Sequence, residues 1–89
     1  MNSILVPHEH VVTTAFDEGE GVLVDLNVKR YYQLNETAMF IWQRLEKRLS
    51  PEQIVTELIA EYEVSLEHAT ASVKRACAAF QSYDLTQKG

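Results

Sequence analysis

The chain has 89 residues, 46% of them apolar, with 13 acidic residues against 8 basic ones. That length holds one domain, whose thin core leaves no room to enclose a large substrate cavity. A net charge of −5 argues against general affinity for nucleic acid, which requires Lys and Arg to neutralise phosphates.

Residues 1–8 read as a loose tail. Ile4-Leu5-Val6 is stopped by Pro7, no basic lead precedes it, and no apolar run approaches the ~20 residues needed to span a bilayer. The expectation is a soluble, cytoplasmic protein. His10 to Asp17, rich in β-branched residues, suits a strand. Asp17-Glu18-Gly19-Glu20-Gly21 is a turn, and Val22 to Leu26 is a second strand on which Val22, Val24 and Leu26 share a face. Asn27 marks another tight turn, and Lys29 to Leu34 forms a third strand. Short turns between consecutive strands imply an antiparallel meander.

Three helices follow. Asn35 caps the first, with an apolar stripe at Ala38, Ile41, Trp42, Leu45 and Leu49 and with Lys47 and Arg48 in its last turn. Ser50-Pro51-Glu52-Gln53 opens the second with a capping box, Pro51 fitting the first helical position and Leu49 and Ile54 placed as a staple. Its buried face is Ile54, Val55, Leu58, Ile59 and Tyr62. Ser65 caps the third after the turn Glu63-Val64, and Leu66, Ala69, Val73, Ala76, Cys77 and Phe80 face the core. Leu85 folds back onto it, and residues 86–89 form a C-terminal tail. The fold class is α+β: a winged helix-turn-helix in which a three-stranded antiparallel sheet precedes three helices, spanning residues 9–85.

Little of this chain suggests covalent chemistry. Cys77, the only cysteine, falls on the apolar stripe of the third helix and reads as core filler, as expected of a lone thiol in a reducing compartment. His8-Glu9-His10 offers two imidazoles, yet zinc takes three or four ligands and no CxxC or HExxH is present. Gly19-Glu20-Gly21 lacks the third glycine and the helix of a dinucleotide fingerprint. The reading is a non-enzyme with no metal and no cofactor. For DNA, the outward face of the third helix offers Glu67, His68, Thr70, Ala71, Lys74, Arg75 and Ala78, thin equipment for phosphate contacts and base reading. A winged-helix transcriptional regulator is the alternative.

The remaining candidate is the third strand. As the last strand of a meander it leaves main-chain groups unpaired on one side, an edge that must be blocked, covered or used. Lys29 and Arg30 are suited to blocking it. An extended peptide is suited to using it, by adding as a further strand. Ser72, Ala76, Ala79 and Tyr83 make a mostly small-residue stripe on the third helix, which leaves a groove beside that edge.

Gly21 to Leu26, Arg30-Tyr31-Tyr32-Gln33-Leu34-Asn35-Glu36-Thr37-Ala38 with Ile41-Trp42, and Ser50 to Val55 with Leu58, Tyr62 and Val73 together resemble the PqqD-like family over about residues 9–85. The resemblance implies a recognition element for ribosomally made, post-translationally modified peptides. Such an element binds a precursor's leader segment and presents the core segment to a modifying enzyme, a radical S-adenosylmethionine protein or a leader peptidase. It also implies a leader lying against the third strand beside the third helix, at Val28, Lys29, Arg30, Tyr31 and Tyr32 and at Ala69, Ser72, Val73, Ala76 and Ala79. Two positions depart from the family pattern. Asp25-Leu26-Asn27-Val28-Lys29-Arg30 lacks the Pro-Glu-Arg segment common in the pyrroloquinoline quinone members, which favours a lasso-peptide type or an orphan member. Ser72 replaces an acidic residue that many members carry before the Val73 position.

Overall fold

The computed structural model describes residues 4–89. Five strands and three helices follow in the order β1 (Leu5–Pro7), β2 (Val11–Ala15), β3 (Gly21–Asp25), β4 (Arg30–Leu34), α1 (Glu36–Glu46), α2 (Pro51–Tyr62), α3 (Leu66–Ser82) and β5 (Thr86–Lys88). The three-stranded antiparallel meander β2-β3-β4 and the three helices after it have the expected α+β, winged helix-turn-helix order.

The ends differ from the expected tails. Leu5–Pro7 pairs antiparallel with Thr86–Lys88, Leu5 opposite Lys88 and Pro7 opposite Thr86. Gly89 N–H donates to the Ile4 carbonyl at 2.8 Å. Leu5 is buried in the core, so a three-residue strand too short to show periodicity is held by one anchor and by its partner's main chain. Residues 1–3 of the expected tail lie outside the described residues.

Alternation sorts the meander cleanly. Leu23 is fully buried between Thr13 on β2 and Tyr32 on β4, and Asp25 lies between Val11 and Arg30. The opposite face carries Val22 and Val24, half-buried, and the neighbouring Leu26 is exposed. So the face shared by Val22, Val24 and Leu26 is the outer one. Gly21 begins β3 where a Cβ would meet the Met39 side chain and the Thr14 carbonyl oxygen, each at 2.7 Å; only glycine lets the strand lie this close to α1. The turn to β4 takes Leu26 through Lys29, so the last strand starts one residue later than the composition suggests. Asp25 holds that turn: its Oδ1 accepts from the N–H groups of Asn27 at 3.0 Å and Val28 at 3.3 Å. Lys29 takes φ of 61° to complete it.

The helix starts follow their signals. Asn35 Oδ1 accepts from Ala38 N–H at 2.8 Å. Ser50 and Gln53 form the reciprocal capping box, at 3.2 and 2.8 Å, and Ser65 Oγ accepts from His68 N–H at 3.1 Å. α1 ends at Glu46, so Lys47 and Arg48 lie beyond its last turn and Arg44 is the basic residue within it. The Arg44 guanidinium lies 3.9 Å from the centre of the Phe40 ring, and its Nε donates to Glu57 Oε1 at 2.8 Å, which fastens α1 to α2. Trp42 is wholly buried and meets Phe80 edge-on at 5.0 Å. Its Nε1–H donates to Thr13 Oγ1 at 2.9 Å and to Glu46 Oε2 at 3.2 Å, so the indole joins helix, sheet and core. On α3 the inward residues are Ala69, Ser72, Val73 and Phe80; Leu66, expected inside, is largely exposed in the first turn.

Candidate functional site

β4 is an edge strand. β3 covers one side of it, and among the described residues its main chain makes no hydrogen bond beyond that ladder and its adjoining turn and helix cap. The β1–β5 pair forms a separate sheet and does not occupy the edge. Five residues of strand therefore present alternate N–H and C=O groups outward, a ready template for an incoming extended chain.

Beside that edge runs a groove in two continuous parts. The first, of about 360 Å3, lies between β4 and the C-terminal half of α3; Tyr31 to Leu34 form one wall, and Ala76, Ala79, Phe80 and Tyr83 the other. The second, of about 480 Å3, continues toward the start of α1, where Asn35, Thr37 and Ala38 face His68, Ser72, Arg75 and Ala76. Ala38, Ala76 and Ala79 line both parts. As the chain advances from Tyr31 to Ala38, the facing α3 residues fall from Tyr83 to His68, so β4 and α3 run in opposite directions across the groove. The groove exists because small side chains occupy its middle; Tyr32 and Tyr83, with ring centres 4.8 Å apart, close one end.

Several expected site residues meet here: Tyr31, Tyr32, Ser72, Ala76 and Ala79. Tyr32 is half-buried and packs on the core side, whereas Tyr31 is 75% exposed and projects from the outer face beside Val24. Other expected residues do not line the groove. Ala69 and Val73 are in the core at 0% and 2% exposure, one helical step too far inward to meet a bound chain. Val28 and Lys29 belong to the turn before β4, and Arg30 is its first residue, paired with Asp25. Tyr83, expected on the groove stripe of the third helix, lines it; lining residues that were not expected include Leu34, Thr37, Ala38, His68 and Arg75. The sequence does carry a sign for two of them: Thr37 and Ala38 follow the Asn35 cap, where small side chains keep the end of the groove open.

A third depression, of about 350 Å3, opens between α2 and α3 and takes in Val55, Leu66, Thr70, Val73 and Lys74. No strand edge adjoins it.

Among the described residues, the groove has no coupled acid, base or nucleophile. Burial pushes the Cys77 thiol up, which disfavours the thiolate a nucleophile needs. No group of three or more His, Cys, Asp or Glu side chains among the described residues is arranged to hold a metal ion. His8 stacks on His10 with ring centres 4.9 Å apart. Their Nε2 atoms lie 3.5 Å from Asp84 and Asp25 respectively, so these imidazoles brace the first strand's exit. No described helix is long and apolar enough to cross a membrane.

The family model of the Coenzyme PQQ synthesis protein D (PqqD) matches residues 20–85. The chain belongs to the PqqD family. This PqqD-family chain is also similar to two solved structures. TbiB1 in complex with the TbiA(beta) leader peptide is 28% identical with a TM-score of 0.84, covering 92% of this chain and 94% of that one. The lasso peptide synthetase B1 complexed with the leader peptide is 26% identical with a TM-score of 0.84, covering 96% of this chain and 99% of that one. No curated protein matches the chain.

Proposed function

We propose that this PqqD-family chain is a non-catalytic recognition element that binds the leader segment of a ribosomally made precursor peptide. The leader adds as a strand to the free edge of β4 and seats side chains in the groove along α3. The observation that carries the reading is the unpaired edge of β4 lying against a groove lined by Ala38, Ala76 and Ala79. Main-chain hydrogen bonds to the edge supply affinity that is largely independent of sequence, and the groove supplies selectivity. The two similar structures, both solved with a leader peptide, support the same occupant. The partner that receives the bound precursor is a modifying enzyme, a leader peptidase or a radical S-adenosylmethionine protein, in the cytoplasm. The likeness to the lasso peptide synthetase B1 favours the peptidase.

Calorimetric titration with the leader of a precursor encoded beside this chain's gene tests the reading. Ala76→Glu, which places a charged side chain where the two parts of the groove meet, should abolish binding. Tyr32→Ala, which removes one wall of the closed end, should weaken it about tenfold. Circular dichroism should show both variants folded. Unchanged affinity in both would remove the groove assignment.

A further inference from the structure

The two ends of the groove differ in chemistry. At the Tyr32–Tyr83 end the walls are aromatic and aliphatic. At the other end Arg75 makes no ion pair among the described residues. Beside it Ser72 is only 7% exposed yet lines the groove, and its hydroxyl makes no hydrogen bond among the described residues. The first turn of α1 faces both: the Asn35 side chain serves Ala38 N–H and its carbonyl serves Met39 N–H, while the N–H groups of Glu36 and Thr37 take no main-chain or side-chain acceptor. Unused N–H groups at a helix start carry partial positive charge. The carboxylate in that turn, Glu36, is turned toward α2, where it accepts from Tyr62 Oη at 3.2 Å.

Resting on the reading of the groove as a leader site, we propose that Arg75, Ser72 and the start of α1 form a subsite for an acidic side chain of the bound peptide. The guanidinium donates to the carboxylate and the Ser72 hydroxyl supplies a further donor. The spacing is fixed by the helix. Tyr83 and Arg75 are separated by about 12 Å of α3 at ~1.5 Å per residue. An extended peptide covers that in about four residues. An even offset puts both side chains on the same side of the strand. The leader therefore carries Asp or Glu about four residues from the apolar residue at the Tyr32–Tyr83 end.

A display library of random peptides of about 12 residues, roughly 40 Å when extended, tests this on the full chain. Selection on the unaltered protein should enrich Asp or Glu at that offset, against the overall negative field of the protein, which by itself favours basic peptides. Arg75→Glu should weaken the selected peptides about tenfold and shift a fresh selection to Lys or Arg at that position. Lys74→Glu alters net charge equally but lies on the α2–α3 depression, so it should leave both affinity and preference unchanged. A pool from the unaltered protein without acidic enrichment overturns the subsite, as does an equal effect of Lys74→Glu. Those outcomes leave groove binding standing as long as Ala76→Glu empties the pool. A pool that Ala76→Glu does not empty, or no enrichment at all, overturns the groove reading and the subsite with it.

Discussion

Trp42 and Thr86 mark opposite ways of burying a polar atom. The Trp42 indole is fully enclosed, yet its N–H has two acceptors, and Thr13 Oγ1 in turn donates to Glu46 Oε2 at 3.0 Å. Truncation to alanine leaves a large void at the junction of α1, β2 and α3. Trp42→Ala should cost about 3–5 kcal/mol in urea unfolding. Thr86 is 7% exposed, and its Oγ1 has no hydrogen-bond partner. Replacing that hydroxyl by a methyl of similar size relieves an unmet donor and acceptor. Thr86→Val should raise stability by about 1 kcal/mol, visible as a higher midpoint in the same experiment. The indole's burial is legible in the sequence because Trp42 sits on a helical stripe. The Thr86 environment is not, because it depends on β5 pairing with a strand at the far end of the chain.

At the scale of elements, the junction of β4 and α1 decides how well the site is formed. The strand passes into the helix through Asn35 alone, and that cap orients the N–H groups at the end of the groove. Asn35→Ala should lower stability by about 1 kcal/mol and also weaken leader binding in calorimetry, since the wall at Thr37 and Ala38 loosens. Ser50→Ala removes a cap of similar worth on α2, away from the groove, and should lower stability by about 1 kcal/mol while leaving affinity unchanged. All three helix starts are readable from Asn35, Ser50 and Ser65, because side-chain caps are local. The start of β4 is less so: Lys29 belongs to a turn set by the buried Asp25 carboxylate, whose burial comes from the sheet and not from its neighbours in sequence. On α3 the helical period places Ala69 and Val73 inward and Ser72, Ala76 and Ala79 along the groove, as found; the resemblance alone counts Ala69 and Val73 among the contacts, and the packing of α3 exposes Leu66.

For the molecule as a whole, Cys77 and Tyr62 bias stability in the same direction as pH rises. Burial pushes the Cys77 thiol up; burial, aided by the bond to Glu36, pushes the Tyr62 hydroxyl up. In each case the folded chain holds its proton more tightly than the unfolded chain does. Their contribution is complete below the ordinary thiol and phenol values and falls as pH rises through them. Urea midpoints should therefore decline from about pH 8.5 upward. Cys77→Ser should reduce the earlier part of that decline, and a flat profile to pH 11 would contradict the assignment. The meander, helix order and edge strand are legible in the sequence because short turns and period-two patterns fix them. The pairing of Leu5–Pro7 with Thr86–Lys88, within the expected tails, is not legible, since pairing of segments this short follows only from three-dimensional proximity.

That pairing has a practical consequence. With Gly89 hydrogen-bonded to Ile4, the described backbone nearly closes on itself, and a short joint between Ile4 and Gly89 would seal it. Fresh ends opened in the exposed hairpin at Glu18 would then give a permuted chain with the cleft intact. Such a reordered molecule would let a reporter be grafted beside β2 and β3, at the far end of the sheet from the Tyr32–Tyr83 mouth of the cleft.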